Sequence, residues 1–329
     1  MSATTQGRTP SSDRDGPSDV GPAVTALGGG HGLSATLGAL RLLSDRLTAV
    51  VTVADDGGSS GRLREELGVV PPGDLRMALA ALCDDSDWGR TWSGLLQHRF
   101  ASGGELDGHA MGNLLIVSLW ERLGDTVAGL DWVGRLLGAR GRVLPMASVP
   151  LVVEADVSSQ GRCSTVVGQS RVAVTDGLVE QLRLVPADPP ACPEAVRAVQ
   201  EADWVVMGPG SWYSSVLVHL LVPELAAALH STTARRCVTL NLSAERGETH
   251  GLSAPQHLEA LRKHAPGLRV DAVLADPSTV DDRDALERAA AGLGARLVLR
   301  QVRRGDGTPR HDPLRLAAAY HDVFEGVAG

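Results

Sequence analysis

From Pro22 onward, short runs of β-branched and aliphatic residues alternate with longer stretches whose apolar positions recur at helical spacing. The short runs predict strands over 24–27, 47–53, 203–207, 237–242, 270–274 and 297–301. The helical spacing predicts helices over 33–43, from Asp74 to Leu82, over 193–201, over 212–221 and after Pro313. Between 86 and 140 the pattern is helical without a strand signal, which predicts a helical insertion. Between 143 and 185 it turns strand-like, in VPLVVEADV, SRVAVTDG and VEQLRLVPA. Leu182, Leu184 and the turn at Asp176-Gly177 predict an antiparallel hairpin at the sheet edge. Strands alternating with helices give an α/β fold. The expected form is a doubly wound, mostly parallel Rossmann-like sheet with a helical subdomain insertion and an antiparallel edge hairpin. Residues 22–329 read as one domain; residues 1–21, rich in Ser, Thr, Gly, Pro and Asp, read as a disordered tail.

Composition narrows the function classes. A net charge of −8 argues against broad nucleic-acid binding, and only two Tyr and two Phe are available to stack on bases. Cys83, Cys163, Cys192 and Cys237 are far apart and form no C-x-x-C, as expected for reduced thiols of a cytoplasmic protein. The ten histidines lack zinc-ligand spacing. No run approaches the ~20 apolar residues of a membrane span, so no membrane insertion is expected.

Candidate chemistry gathers in three glycine loops, each after a predicted strand. In the first, Gly28, Gly29, Gly30, His31 and Gly32 lead into a helix; Gly30, Gly32 and Ala35 fit G-x-G-x-x-A, with Asp55 about 20 residues on. In the second, Asp55 and Asp56 precede Gly57, Gly58, Ser59, Ser60 and Gly61, and Arg62 and Arg64 follow at a helix start. Backbone N–H groups and hydroxyls at such a turn can cradle phosphate. The two carboxylates can hold ribose hydroxyls or a divalent cation, or simply cap the turn. The third loop is Gly208-Pro209-Gly210-Ser211, with Ser211 placed to cap the following helix. Asp74, after Pro71-Pro72-Gly73, reads as a ligand contact or an N-cap. His109 and Asn113, four apart in GHAMGN, can address a common ligand or each other. Asn241 and Glu248 flank the loop after the strand over 237–242; Glu248 is a ligand contact or a plain surface acid. Trp204 and Trp212 read as packing residues.

GGGHGLSATL, TAVVTVADDGGSSGRLREE, PPGDLRMALAAL, QHRF, GHAMGNLL, GRVLPM, GPGSWYSSV, NLSAERGET and RHDP occur in this order across 22–326. Together they resemble the gluconeogenesis-factor (YvcK-like) family, which is similar to 2-phospho-L-lactate transferase. The resemblance implies a Rossmann-like core that binds UDP-sugars such as UDP-N-acetylglucosamine, with no cofactor required. It implies a regulatory role in carbon-source-dependent growth, cell shape and cell-wall precursor supply. A homodimer and a cell-wall or regulatory protein partner are expected on the same ground. The transferase relatives use a guanosine diphosphate-linked donor, a deazaflavin acceptor and magnesium, for which Asp55 and Asp56 would be the metal ligands. His31 stands where many members carry Thr, as in the actinobacterial branch. Arg310 matches the arginine of the family's closing RHD and is expected to contact ligand; the tyrosine that many members carry before the last strand has no counterpart over 281–296.

Three functions follow as expectations. The first is a UDP-sugar-binding regulator without turnover, and the second a magnesium-dependent transferase of the 2-phospho-L-lactate type. The third is an NAD-dependent oxidoreductase, which lacks a catalytic His-Asp or Tyr-Lys arrangement.

Overall fold

The computed structural model describes residues 21–242 and 247–327; the predicted tail lies almost wholly outside the described residues. The chain opens with β1 (Val24–Gly28), α1 (Gly30–Leu40), β2 (Leu47–Val51), α2 (Gly58–Leu67) and α3 (Gly73–Leu82). Three helices follow, α4 (Asp87–Gln97), α5 (Met111–Leu123) and α6 (Thr126–Leu137), and form the expected insertion. Next come β3 (Arg142–Pro145), β4 (Val152–Ser159), β5 (Arg162–Val167), α7 (Gln169–Ala173) and β6 (Leu178–Val185). The last part holds α8 (Pro193–Glu201), β7 (Trp204–Met207), α9 (Pro223–Ser231), β8 (Arg235–Thr239), α10 (Ala254–His264), β9 (Ala272–Ala275), α11 (Arg283–Gly292), β10 (Arg296–Leu299) and α12 (Pro313–Glu325).

Seven strands form one parallel sheet in the order β10-β9-β8-β7-β1-β2-β3. Strands β1, β7 and β9 are buried at every position, because helices cover both faces of such a sheet and leave no solvated side. The chain grows outward from β1 through β2 to β3, then restarts on β1's other side at β7 and grows to β10. β1 and β7 therefore flank the point where winding reverses, the place where open α/β sheets hold their ligands.

The antiparallel strands expected at the sheet edge instead form a sheet of their own, ordered β5-β4-β6. Two local readings change. SRVAVTDG is not a strand: Val172 is fully buried in the short helix α7, which the positive φ of Gly168 (101°) sets off from β5. The segment 212–221 is not an α-helix but a π-helical turn running into a 3₁₀ turn. Trp204 and Trp212 are buried as predicted. Trp204 packs on Phe324 at 4.9 Å, with the Arg235 guanidinium 4.3 Å above its ring. Among the described residues, no single helix is long and apolar enough to cross a membrane.

Candidate functional site

The first and third glycine loops press against each other where the winding reverses. A Cβ on Gly32 would lie 2.2 Å from the Pro209 carbonyl oxygen and 2.7 Å from the Gly210 Cα, so only glycine permits this approach. His31 is exposed on the first turn of α1 beside that contact. Asn241, at the end of the strand next to β7, clamps the third loop from the other side. Its Oδ1 accepts from the Gly210 N–H at 2.8 Å, and its Nδ2 donates to the Gly210 carbonyl at 2.9 Å.

Asp74 joins the second side of the site to the first loop. It is the second residue of α3 rather than its N-cap, which is Pro72, and its carboxylate accepts from the Gly30 N–H. The fit is tight, since a Cβ on Gly29 would sit 2.5 Å from Asp74 Oδ2. Burial pushes the Asp74 carboxyl up to about 7, and the neighbouring charge of Asp55 adds to the rise. At neutral pH this acid is therefore poised between its protonated and ionised forms.

The second loop supplies the N-terminus of α2, with Gly57 as N-cap and Gly58, Ser59 and Ser60 in the first turn, whose N–H groups have no intrahelical acceptor. Gly58 holds φ at +48°, and a Cβ there would meet open space. Asp55 and Asp56 have different hydrogen-bond partners. Asp55 Oδ1 accepts from Gly57 N–H at 2.9 Å, while its Oδ2 faces Gly73 and Ser60. Asp56 accepts from Ser170 N–H of α7 at 2.9 Å and lies against Gly168, in the wall of the cleft that Gly58, Ser59 and Arg62 also line. The carboxylate beside Asp55 is thus Asp74. Among the described residues, no cluster of three or more His, Cys, Asp or Glu side chains could hold a metal. A magnesium ion here would lean on Asp55 and Asp74, the hydroxyls and the phosphate oxygens of a ligand, a donor set that suits it.

His109 and Asn113 both reach Ser59, as their spacing allows. His109 Nδ1 lies 3.1 Å from Ser59 Oγ, and Asn113 Nδ2 donates to the same oxygen at 3.0 Å. His109 precedes α5 rather than lying on it. Burial, with the charge of Arg62, keeps its imidazole below the usual range and hence neutral. Arg62 itself donates to the carbonyl oxygens of Glu105 and Asp107, holding the loop ahead of α5 over the second glycine loop. Gly58, Ser59, Arg62, Gly108, Val152 and Gly168 line the resulting cleft of about 840 Å³.

Comparison with known proteins places this arrangement. The family model described as 2-phospho-L-lactate transferase CofD matches residues 24–299. The "Putative gluconeogenesis factor" of Mycobacterium tuberculosis is 55% identical over 311 residues, 92% of this chain and 90% of that protein. The "Gluconeogenesis factor" of Bacillus subtilis is 37% identical over 261 residues, 79% of this chain and 80% of that one. A crystal structure of a UPF0052-family protein from Bacillus halodurans superposes with a TM-score of 0.81 at 34% identity, covering 91% of this chain and 98% of the other. The chain belongs to the gluconeogenesis-factor family.

For this family member, two placements differ from the sequence reading. Ser211 makes no side-chain cap. The anion at the start of that turn is the protein's own Glu248, which is 2% exposed and accepts from the N–H groups of Tyr213 and Ser214 at 2.9 and 3.2 Å. Glu248 is therefore no surface acid, and it neutralises the donors that a phosphate at this turn would need. Arg310 lies exposed in the loop after β10, the outermost strand of the sheet, in a segment bridged at Arg303 and His311.

One residue was missed. Arg76, on the first turns of α3, is 4% exposed, yet its Nε and Nη1 have no hydrogen-bond partner among the described residues. Burial lowers its pKa to about 10, and the like charge of Arg99 lowers it further. Its space exists because Gly112 lacks a side chain: a Cβ there would come within 2.9 Å of Arg76 Cγ. The sequence signal was the second half of PPGDLR, read only as a helix opening.

Proposed function

We propose that this protein binds a nucleoside diphosphate sugar, UDP-N-acetylglucosamine being the one the family resemblance implies, and serves as a cytoplasmic regulator rather than a catalyst. The observation that carries the reading is the convergence of glycine loops at the carboxyl ends of β1, β2 and β7, around the point where the sheet's winding reverses. Helix N-termini and close-approach glycines at such a point suit a diphosphate. Arg76 supports it, since a buried guanidinium that lies near Asp74 and Asp55 yet leaves Nε and Nη1 without acceptors adds positive charge beside the loops. The wider role is control of cell shape and wall-precursor supply during gluconeogenic growth. It would be exercised by a homodimer through a cell-wall or regulatory partner protein.

A second reading rests on one observation. Asp74, held near neutrality beside Asp55, has the protonation behaviour of a general base, which favours a magnesium-dependent transferase of the 2-phospho-L-lactate type. One experiment separates the two. UDP-N-acetylglucosamine at 100 times its dissociation constant should stabilise the protein by ~2.7 kcal/mol in thermal unfolding. Chromatography after incubation with magnesium should return the nucleotide sugar intact. Absence of stabilisation by any nucleotide sugar would end the binding reading. Release of UMP, the leaving group when the phosphosugar passes to an acceptor or to water, would replace the regulator by the enzyme if it is lost in Asp74→Asn.

A further inference from the structure

The small antiparallel sheet has two edges, and the chain treats them differently. The β6 edge is blunted, as exposed edges usually are. Its register with β4 slips between Asp156 and Val157, which leaves Glu180 unpaired as a bulge, and Lys263 Nζ of α10 donates to the Glu180 carbonyl at 2.8 Å. The outer strands of the large sheet, β3 and β10, span only four residues each, and β3 ends in Pro145. β5 has none of these devices. RCSTVV carries no Pro, Lys or acid, and its single charge, Arg162, sits at the turn. All six residues pair with β4 in unbroken register, and every one but Val166 is exposed.

The register fixes where the backbone groups of β5 point. Gln160 and Gly161, at φ 51° and 74°, make a two-residue turn closed by Ser159 and Arg162. Such a closing pair is hydrogen-bonded, and bonded pairs then recur at every second position, here Val157 with Ser164 and Ala155 with Val166. Gly168 keeps the phase, its N–H donating to the Val153 carbonyl at 2.8 Å. Cys163, Thr165 and Val167 therefore turn their N–H and C=O groups away from β4. No hydrogen bond to those outward groups is found among the described residues.

We propose that β5 pairs antiparallel with β5 of a second copy of this chain, about a two-fold axis through Thr165. The edge is complementary to itself. Setting Thr165 against Thr165 also sets Cys163 against Val167 and Val167 against Cys163, so every outward group of both copies finds a partner at once. No charge meets a like charge, because Arg162 falls opposite Gly168. The joined sheet runs β6-β4-β5-β5-β4-β6, and its remaining edges are the blunted ones. Val167 also lines the cleft at the N-terminus of α2, which brings the second copy to the rim of that cleft. The inference rests on the homodimer of the reading above and gives it a contact surface.

The test uses the full chain. Sedimentation should show a dimer, and Thr165→Pro should raise its dissociation constant roughly tenfold or more. Proline there removes an N–H that points away from β4, so the ladder between β4 and β5 and the circular dichroism spectrum should be unchanged. Cross-linking reads the register, and it alone decides if Thr165→Pro does not fold. Residues that exchange both hydrogen bonds lie about 5.5 Å apart at Cα, within reach of a disulfide. Thr165→Cys in a Cys163→Ser background should therefore link the two copies on mild oxidation. Native Cys163 should not, because the two copies of it lie four residues out of register, about 14 Å apart. A dimer that Thr165→Cys fails to cross-link would overturn the β5 surface, whatever Thr165→Pro does, and leave the homodimer standing. A wild-type chain that stays monomeric at every concentration would overturn both.

Discussion

At the β1–β2 end of the carboxyl edge, folding encloses charge: Asp55, Asp74 and Arg76 sit among glycines whose missing side chains make the room. At the β8–β10 end, a cavity of about 250 Å³ is lined by His257, whose imidazole burial holds below the ordinary range, and by Arg303, whose guanidinium a backbone carbonyl fixes. The first end uses proximity of like and unlike charges, which responds to pH and to salt. The second uses directional donors and acceptors, which respond to the shape of a ligand and scarcely to ionic strength.

The largest effect is expected where the loops touch. Gly32→Val would drive a side chain into the Pro209 carbonyl and the Gly210 backbone, neither of which can swing away. A loss of about 3 kcal/mol in chemical denaturation is expected, the upper range for overpacking. Gly58→Ala meets open space and bears only the cost of φ +48°, about 1–2 kcal/mol. Equal losses in the two variants would show that the inter-loop contact is looser than described.

The charged end should betray itself through pH. Asp74 is raised in the folded state, so between about pH 4 and 7 the unfolded chain has lost this proton while the folded protein keeps it. Stability therefore falls as pH rises through that window. Asp74→Asn keeps an acceptor for Gly30 but cannot ionise, and should be more stable than wild type at pH 8 by roughly 2–3 kcal/mol. At pH 4 the two should converge. A constant difference across the range would mean that Asp74 is not the group concerned.

Arg76→Met removes a buried charge without a hydrogen-bond partner and keeps much of the side-chain volume. Without ligand it should raise stability by about 1–2 kcal/mol, as buried-charge replacements often do. Nucleotide-sugar affinity should fall at the same time. A variant that gains stability and loses no affinity would remove Arg76 from the site. The smallest change is expected from Asp56→Asn, which weakens one charged hydrogen bond to the Ser170 N–H, costing about 1 kcal/mol. If instead it abolished ligand binding, Asp56 would be a ligand contact and its link to α7 secondary.

Much of the fold was legible because strands buried on both faces read as uninterrupted aliphatic runs, with glycine loops following β1, β2 and β7. The order of those runs gave the parallel sheet and its three loops. The misreadings share a cause, which is dependence on partners distant in sequence. Val172 and Val174 look like strand positions, but Val172 is buried in a five-residue helix while Val174 remains 71% exposed. Arg76 looks like a helix-surface residue until Gly112, 36 positions later, opens the space that buries it. Glu248 looks like a loop acid until the turn at 212–216 presents its N–H groups. His109 and Asn113 do meet at one hydroxyl, but His109 lies ahead of α5, so the loop before that helix rather than helical spacing brings it there.

The short helix α7 has a consequence for how the site behaves as a whole. Its Ser170 N–H binds Asp56 of the second loop, and its Gln169 side chain donates to the Ser214 carbonyl beyond the third. Its Ala173 carbonyl accepts from Glu248 N–H, and Gly247 packs so close that a Cβ would lie 2.1 Å from that oxygen. Three segments far apart in sequence are thus fastened to one turn of backbone, itself attached to the separate antiparallel sheet. Fastened segments cannot adjust independently. Ligands that engage different loops should therefore change each other's affinity by the same factor in both directions, as thermodynamic linkage requires. Cutting the Gln169 tie with Gln169→Ala should bring that factor toward one.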